Sequence, residues 1–336
     1  MSGKDFLTAL AVGQDVIVRF GLSVRKSFIQ SGRMNLFRVF GPCAALSRAL
    51  GFSAGETRRA MGIAFSHAVG DGQTYLDGGL TVRLQQGIVA HGALISVLLA
   101  EKGFTGAEDF LMGGFGYFRS FEPDPRLEFL TEDLGKRFYG ERISIKPYAA
   151  CRGTHSALEL ALRFRAEAGD DPDSIQRIIC RVSPEIHGLV CSPEEKKRAP
   201  DSVPSAQFSL HYAVAAALIR GDFFLRELEA EAIRDPSILQ LAGRIEARPD
   251  PALRTDSAVG RTVMTVERKG APAWTESLND PLGSPSRPLS YEACVDKLKK
   301  CTPYAANTLS PDKLEALVRM VRQLEDLDDV SALIST

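Results

Sequence analysis

The residue pattern changes near residue 145, and this change restricts the possible folds more than any other feature of the chain. Before it, apolar residues recur at helical spacing, and Ser2 and Ser53 each stand three residues ahead of an acidic residue, a common way for a helix to begin. After it, segments 175–182 and 261–266 have the β-branched alternation of strands. Helical spacing returns from residue 291. The sequence therefore predicts a mainly α fold with an α+β domain.

Two domains are expected for a chain of 336 residues, because this exceeds the usual size of one compact domain. The patterns predict an all-helical domain formed by residues 1–140 and 285–336. A smaller α+β lid domain, residues 141–284, is inserted before the C-terminal helices, and the proline- and glycine-rich stretch 281–289 is a linker. We expect a cleft at their junction.

Local patterns predict the following elements. Residues 70–79 form a glycine-bearing loop, and the mixed charge run 194–198 is a solvated loop. Residues 88–101, 206–219 and 237–247 are predicted helices. On the first of these, His91 receives no chemical role. On the second, His211 is expected to be exposed.

Composition excludes several classes of function. The 41 basic and 42 acidic residues give a net charge of −1, and no basic run with interleaved aromatics is present, so nucleic-acid binding is not expected. The six cysteines lack metal-ligand spacing and are predicted to be reduced thiols, with no metal site. The glycines at 113–116 do not form a dinucleotide fingerprint. No signal-peptide centre and no membrane-spanning segment are apparent, so a cytoplasmic protein is predicted.

The segment 146–155, Lys-Pro-Tyr-Ala-Ala-Cys-Arg-Gly-Thr-His, concentrates chemically active side chains. Thr154 is a suitable N-cap for the helical pattern that follows, which places His155 in the first turn. The positive end of a helix disfavours imidazolium, so a neutral ring able to accept a proton is expected. The alternative is a surface or capping histidine, with Lys146 a solvated side chain.

Five segments together resemble the MmgE/PrpD family, whose members include 2-methylcitrate dehydratase, cis-aconitate decarboxylase and iminodisuccinate epimerase. They are segments 2–9, 87–106, 146–155, 206–212 and 288–327. The resemblance implies a helical domain and a smaller α+β lid, no cofactor, and an active site between the two domains. It also implies a homodimer that forms through the helical domain.

The resemblance assigns site residues at the matching positions. His155, Tyr212 and Lys146 are the catalytic candidates at these positions. Apart from these matches, Arg83, Gln86 and His67 are the substrate-binding candidates. A buried tyrosine with a satisfied hydroxyl is the alternative for Tyr212.

The implied chemistry is that of a cofactor-independent, dehydratase-like lyase acting on a small di- or tricarboxylate such as 2-methylcitrate. Lys146 and Arg83 would bind carboxylates, His155 would remove the proton next to a carboxylate, and Tyr212 would donate to the leaving hydroxyl. The same groups would serve an epimerase, another isomerase or a decarboxylase. The sequence leaves these outcomes open.

The chain departs from the family pattern in ways that support a second class of function. Relatives are expected to carry a further N-terminal segment with acid and base residues. Segment 31–37 replaces a Gly-Phe-His-x-Thr motif, and Val82 replaces a lysine. A non-catalytic or partner-dependent truncated homologue is therefore the alternative.

Overall fold

A computed structural model describes residues 1–26, 28–169, 171–254 and 261–335. The chain divides into two compact units. The first contains residues 1–72, 81–143 and 305–336, and the second contains residues 73–80 and 144–304. The predicted fold class, mainly α with a smaller α+β region, is confirmed.

The first unit is helical. Its longer helices are Gly3–Ser23, Phe40–Ala49, Ala54–Ala64, Thr81–Glu101 and Pro311–Arg322. Short helices are Phe28–Ser31, Tyr117–Phe121, Glu128–Thr131 and Ala332–Ser335. The predicted helix starts are confirmed, because Ser2 accepts a hydrogen bond from the Asp5 backbone and Ser53 forms a full capping box with Glu56.

Aromatic side chains fill the core of the first unit. The Phe20 and Phe40 rings stack with centroids 4.9 Å apart, and Tyr117 meets Phe40 edge-on at 5.7 Å. A buried ion pair lies in the same unit, where Arg19 Nε donates to Asp15 Oδ2 at 2.6 Å. The remaining guanidinium nitrogens of Arg19 donate to three backbone carbonyls of residues 129–137.

Two helices of this unit, Gly3–Ser23 and Thr81–Glu101, are long and apolar enough to cross a membrane. The prediction that no segment has this property is therefore wrong. Both helices pack in the helical unit, with a third of each most apolar window buried. Length and composition alone do not distinguish a membrane span from a core helix.

The second unit contains the sheet. Strands β1 (Ile175–Val182), β2 (Ile245–Pro249), β3 (Thr262–Arg268) and β4 (Ala271–Leu278) lie in the order β2-β1-β3-β4. The β1–β2 pair is parallel and the other pairs are antiparallel. The helices are Gln73–Asp77, His155–Ala168, Pro184–Val190, Glu194–Arg198, Val203–Gln207, Leu210–Arg220, Ala230–Ile233, Pro236–Gly243 and Tyr291–Cys301.

Several local predictions are corrected. The helix predicted at 237–247 ends at Gly243, and β2 follows because Ile245 pairs with Ile178 of β1. The helix predicted at 206–219 begins at Leu210, after a separate short helix. Helices replace the loops predicted at 194–198 and within 70–79. The helix predicted from residue 88 begins at Thr81.

Candidate functional site

Two backbone hydrogen bonds hold the 146–155 block, the segment that leads into the helix His155–Ala168. Ile145 N–H donates to the Gly283 carbonyl at 2.9 Å, and the Cys151 N–H donates to the Gln207 carbonyl at 2.8 Å. Gly283 has φ +81°, and a Cβ there would lie 1.8 Å from the Ile145 carbonyl oxygen. Only glycine therefore allows this close approach of the linker to the block.

Thr154 does not cap the helix, contrary to the prediction. Its backbone is already helical and its hydroxyl donates to the Cys151 carbonyl at 2.9 Å. A 3-10 turn, Arg152–Thr154, precedes the helix instead. His155 is still the first helical residue, as predicted.

His155 is fully buried within the second unit. Its Nδ1 lies 3.0 Å from Nη1 of Arg152, which is always a donor, so Nδ1 accepts and Nε2 carries the proton toward the Ala150 carbonyl at 3.4 Å. Burial, followed by the charge of Arg152, lowers the pKa of His155 to about 3. The imidazole is therefore neutral, and its lone pair is engaged by Arg152. Proton abstraction by His155 requires Arg152 to leave Nδ1.

Arg152 is a half-buried cation held by neutral groups. Besides His155, its guanidinium donates to the Leu282 carbonyl at 2.9 Å, the Pro281 carbonyl at 3.2 Å and the Ser284 hydroxyl at 2.6 Å. Within the described ranges, no carboxylate forms an ion pair with it. Its positive charge therefore remains available to an anion.

Glu159, one turn along the same helix, is not such a partner because other groups saturate it. Arg287 binds both carboxylate oxygens, at 2.7 and 3.2 Å, and Arg163 donates to Oε1 at 2.7 Å. The Leu282 N–H donates to Oε2 at 2.8 Å. Burial raises the pKa of Glu159, but these hydrogen bonds outweigh burial and lower it overall.

Two lysines add positive charge beside His155. Lys146 is exposed, Lys297 is half-buried, and the Lys297 ammonium donates to the Lys146 carbonyl at 2.7 Å. Both charges lower the pKa of His155 after burial and Arg152. Neither lysine has an ion pair with any carboxylate that the structure describes. We call Lys146, Arg152 and Lys297 the cation cluster.

Tyr148 lies against this cluster. Its ring meets the His155 ring edge-on, with centroids 5.2 Å apart. Burial, followed by the charge of Glu159, raises the pKa of Tyr148 to about 12. The phenol therefore keeps its proton at neutral pH.

Tyr212 is fully buried on the helix Leu210–Arg220, and its hydroxyl donates to the Glu227 carbonyl at 2.6 Å. The hydroxyl of Tyr212 therefore has a hydrogen-bond partner, which is the alternative to a catalytic role that the sequence left open. His211 is also fully buried, so its predicted exposure is wrong. The helix is enclosed on all sides, and consecutive residues Leu210 to Leu218 are all buried.

The three substrate-binding candidates belong to the first unit. Arg83 and Gln86 are exposed in the first two turns of the helix Thr81–Glu101. His67 ends a 3-10 turn and packs on Gly92, where an added Cβ would lie 2.7 Å from the His67 Cβ. Their convergence with His155, Tyr212 and Lys146 stays a prediction.

Sequence reasoning missed three members of this arrangement. Arg152 and Tyr148 lie inside the block, and the composition of the block was the available signal. Lys297 comes from a helix that begins 136 residues after the block ends, at Tyr291, and nothing in the sequence associates the two.

No group of three or more His, Cys, Asp or Glu side chains in the described ranges is arranged to hold a metal ion.

The chain matches known proteins along nearly its whole length. The model of the MmgE/PrpD C-terminal domain matches residues 148–326, and that of the MmgE/PrpD N-terminal domain matches residues 1–130. A cis-aconitate decarboxylase-like protein of Aspergillus oryzae is 25% identical over 354 aligned positions, covering 100% of this chain and 71% of that protein. Cis-aconitate decarboxylases of Mus musculus and Homo sapiens are each 26% identical, over 99% of this chain and 68% of theirs.

Proposed function

Because the chain belongs to the MmgE/PrpD family, we propose that it is a lyase that decarboxylates cis-aconitate or a closely similar unsaturated polycarboxylate. The observation that carries this proposal is the cation cluster, in which Lys146, Arg152 and Lys297 have no carboxylate partner among the described residues. A group of unpaired cations is suited to a substrate with several carboxylates. The names of the relatives favour decarboxylation over the dehydration of 2-methylcitrate.

The cluster would act on charge that develops during the reaction. The bond between the leaving carboxylate and its carbon breaks, and carbon dioxide departs. The electron pair of that bond moves through the double bond toward a remaining carboxylate. Cations already in place stabilise this added negative charge without reorganising. Arg152 is suited to this task because four neutral acceptors fix its position.

A proton must then reach the carbon that holds the electron pair. Tyr148 is the donor we propose, because its phenol keeps its proton at neutral pH and lies beside His155. The resulting tyrosinate takes a proton back from water. His155 would hold Arg152 through Nδ1 and orient Tyr148 through their ring contact. Its role as a base is the alternative, and it requires Arg152 to move.

The proposal is tested by incubating the protein with cis-aconitate in deuterated buffer. We expect release of carbon dioxide and one solvent deuteron in the dicarboxylate product, both followed by NMR. Lys146→Met should lower kcat/KM by roughly 100-fold, because one stabilising charge is lost. Lys102→Met is the matched control, since Lys102 is 80% exposed and belongs to the first unit.

Other outcomes identify the alternatives. Water loss from 2-methylcitrate without carbon dioxide indicates a dehydratase, and deuterium exchange without net reaction indicates an epimerase. No reaction and no exchange with any of these acids would contradict an enzymatic function and support the non-catalytic or partner-dependent homologue.

We also propose that two copies associate through the helix Thr81–Glu101. Four large apolar side chains, Leu84, Ile88, Leu94 and Leu98, are each at least 39% exposed on one side of this helix. A stripe of this kind marks an association surface, and pairing with its own copy would cover both stripes at once. Leu94→Glu should convert a dimer to a monomer in analytical ultracentrifugation. Leu50→Glu, at another exposed leucine of the same unit, should not; a wild-type monomer refutes the proposal.

A further inference from the structure

A small pocket in the second unit lies apart from the cation cluster and has no assigned role. It holds about 60 Å³ and is lined by residues of the helix Gln73–Asp77 and of segment 193–205. Lys197 forms part of its wall although the residue is only 5% exposed. Its ammonium donates to the Phe208 carbonyl at 2.8 Å. We call this the Lys197 pocket.

The buried ammonium lacks a counter-ion. An ammonium has three donors, and the Phe208 carbonyl is the acceptor that the structure provides. No carboxylate in the described ranges forms an ion pair with Lys197. The two acidic residues of the wall are exposed and engaged elsewhere: Asp77 accepts from the Gln73 amide at 2.9 Å, and Asp201 accepts from the Ser205 hydroxyl at 3.3 Å.

A buried charge of this kind is costly unless it is paired. The surroundings show that cost, because burial is the main cause that lowers the pKa of Lys197. Burial also raises the pKa values of the nearby Cys151 and Cys191 thiols, so they remain neutral. An anion in the pocket would supply the missing partner.

The size of the pocket limits that anion. One water-sized position needs about 10–15 Å³ on the same measure, so a pocket of about 60 Å³ accommodates about four such positions. Acetate, bicarbonate or a similar small oxyanion fits this space. A tricarboxylate does not, so the proposed substrate and the occupant of this pocket are different molecules.

We propose that the Lys197 pocket binds a small oxyanion of the monocarboxylate class, with the Lys197 ammonium as its counter-ion. Lys196, which also lines the pocket, adds a second positive charge at the exposed rim. This inference does not depend on the proposed decarboxylation.

Occupancy of the pocket is linked to the 146–155 block through a short backbone segment. Lys197 binds the Phe208 carbonyl, and the preceding residue Gln207 binds the block twice, from its amide to the Ala149 carbonyl at 2.9 Å and through its own carbonyl to the Cys151 N–H. The Ser209 hydroxyl donates to the Lys197 carbonyl, so the same short segment also binds the backbone of Lys197. An anion that draws the ammonium from Phe208 therefore acts on a segment that positions the block.

The experiment measures binding of 13C-labelled acetate to the full chain by NMR line broadening at constant ionic strength. We expect saturable broadening in the wild type that bicarbonate or phosphate displaces to different extents, which identifies the preferred oxyanion. Lys197→Met should weaken binding at least tenfold, because a charge-assisted bond of this strength is lost. Lys102→Met, a remote exposed lysine, should bind like the wild type.

A second variant covers the case in which Lys197→Met fails to fold. Ala199 is exposed and lines the pocket, so Ala199→Phe narrows the entrance without removing the buried charge, and it should also weaken binding. Broadening that does not saturate, or that is equal in the wild type, Lys197→Met and Ala199→Phe, shows an adventitious ion only and overturns the proposal.

Discussion

Lowering the pH from 8 to 5 should destabilise the protein through two buried histidines. His155 and His211 are both fully buried, and burial is the main cause that lowers the pKa of each from 6.5 to about 3. Between these values the folded protein keeps both rings neutral while the unfolded chain takes up protons. The unfolded state then binds more protons, so stability falls as the pH drops through 6.5.

The magnitude follows from the pKa in the unfolded chain alone, because pH 5 lies above the folded pKa. With an unfolded pKa of 6.5, each histidine costs about 2 kcal/mol of unfolding free energy at pH 5, and the pair costs about 4 kcal/mol. Carboxylates contribute little in this interval because they are largely ionised in both states above pH 5.

Urea unfolding at pH 8 and pH 5 measures this loss, and His211→Leu separates one histidine from the other. Both ring nitrogens of His211 lack a hydrogen-bond partner within the described structure, so leucine removes two unsatisfied polar atoms. The variant should lose about 2 kcal/mol of the wild-type pH dependence. His91→Gln, at an exposed position of the first unit, should keep the wild-type pH dependence.

A contact between His211 and Glu194 makes the pH dependence of His211→Leu a decisive test. Nε2 of His211 lies 3.5 Å from Oε1 of Glu194, whose side chain is 46% exposed. If this carboxylate paired with a protonated ring, folding would favour protonation and the cost would disappear. Equal pH dependence in the wild type and His211→Leu would therefore refute the reasoning, whereas solvent screening of Glu194 is the expected situation.

Three further substitutions test the packing and the site. Arg19→Met should cost about 3–5 kcal/mol in urea unfolding, because it leaves buried Asp15 without its partner. Tyr212→Phe should cost about 1 kcal/mol and change kcat by less than about threefold, since its hydroxyl is engaged by a backbone carbonyl, whereas Tyr148→Phe should lower kcat by about 100-fold or more. Ser53→Ala should cost about 1 kcal/mol through loss of the helix cap, measured by thermal unfolding.

Local signals in the sequence predicted local structure well. Ser2 and Ser53 cap helices as expected, because a cap depends on residues three positions apart. The hairpin of β3 and β4 turns at Gly270, which has φ +75°. Glycine adopts that conformation without a steric penalty, so this turn too has a local signal in the sequence.

Features that depend on distant residues were not predictable in this way. Strand β2 is short, and it forms because Ile245 pairs with Ile178 of β1. These two positions are 67 residues apart in the chain, the difference between 178 and 245. His211 was expected to be exposed because a helix usually has a polar face. Its helix has none over residues 210–218, where alanines and leucines face every direction, and that composition was the signal of full burial.

The position of Glu159 explains how Arg152 stays unpaired in a chain with 42 acidic residues. This carboxylate lies one turn after His155, and among the described carboxylates its charge acts most strongly on Arg152. Arg287 and the Leu282 N–H occupy it instead, while the Leu282 carbonyl accepts from Arg152. The linker thus binds Glu159 and Arg152 through separate groups, and the two charges do not pair with each other. Arg152 is left oriented, charged and open to a substrate carboxylate, which is the electrostatic preorganisation that the proposed decarboxylation needs.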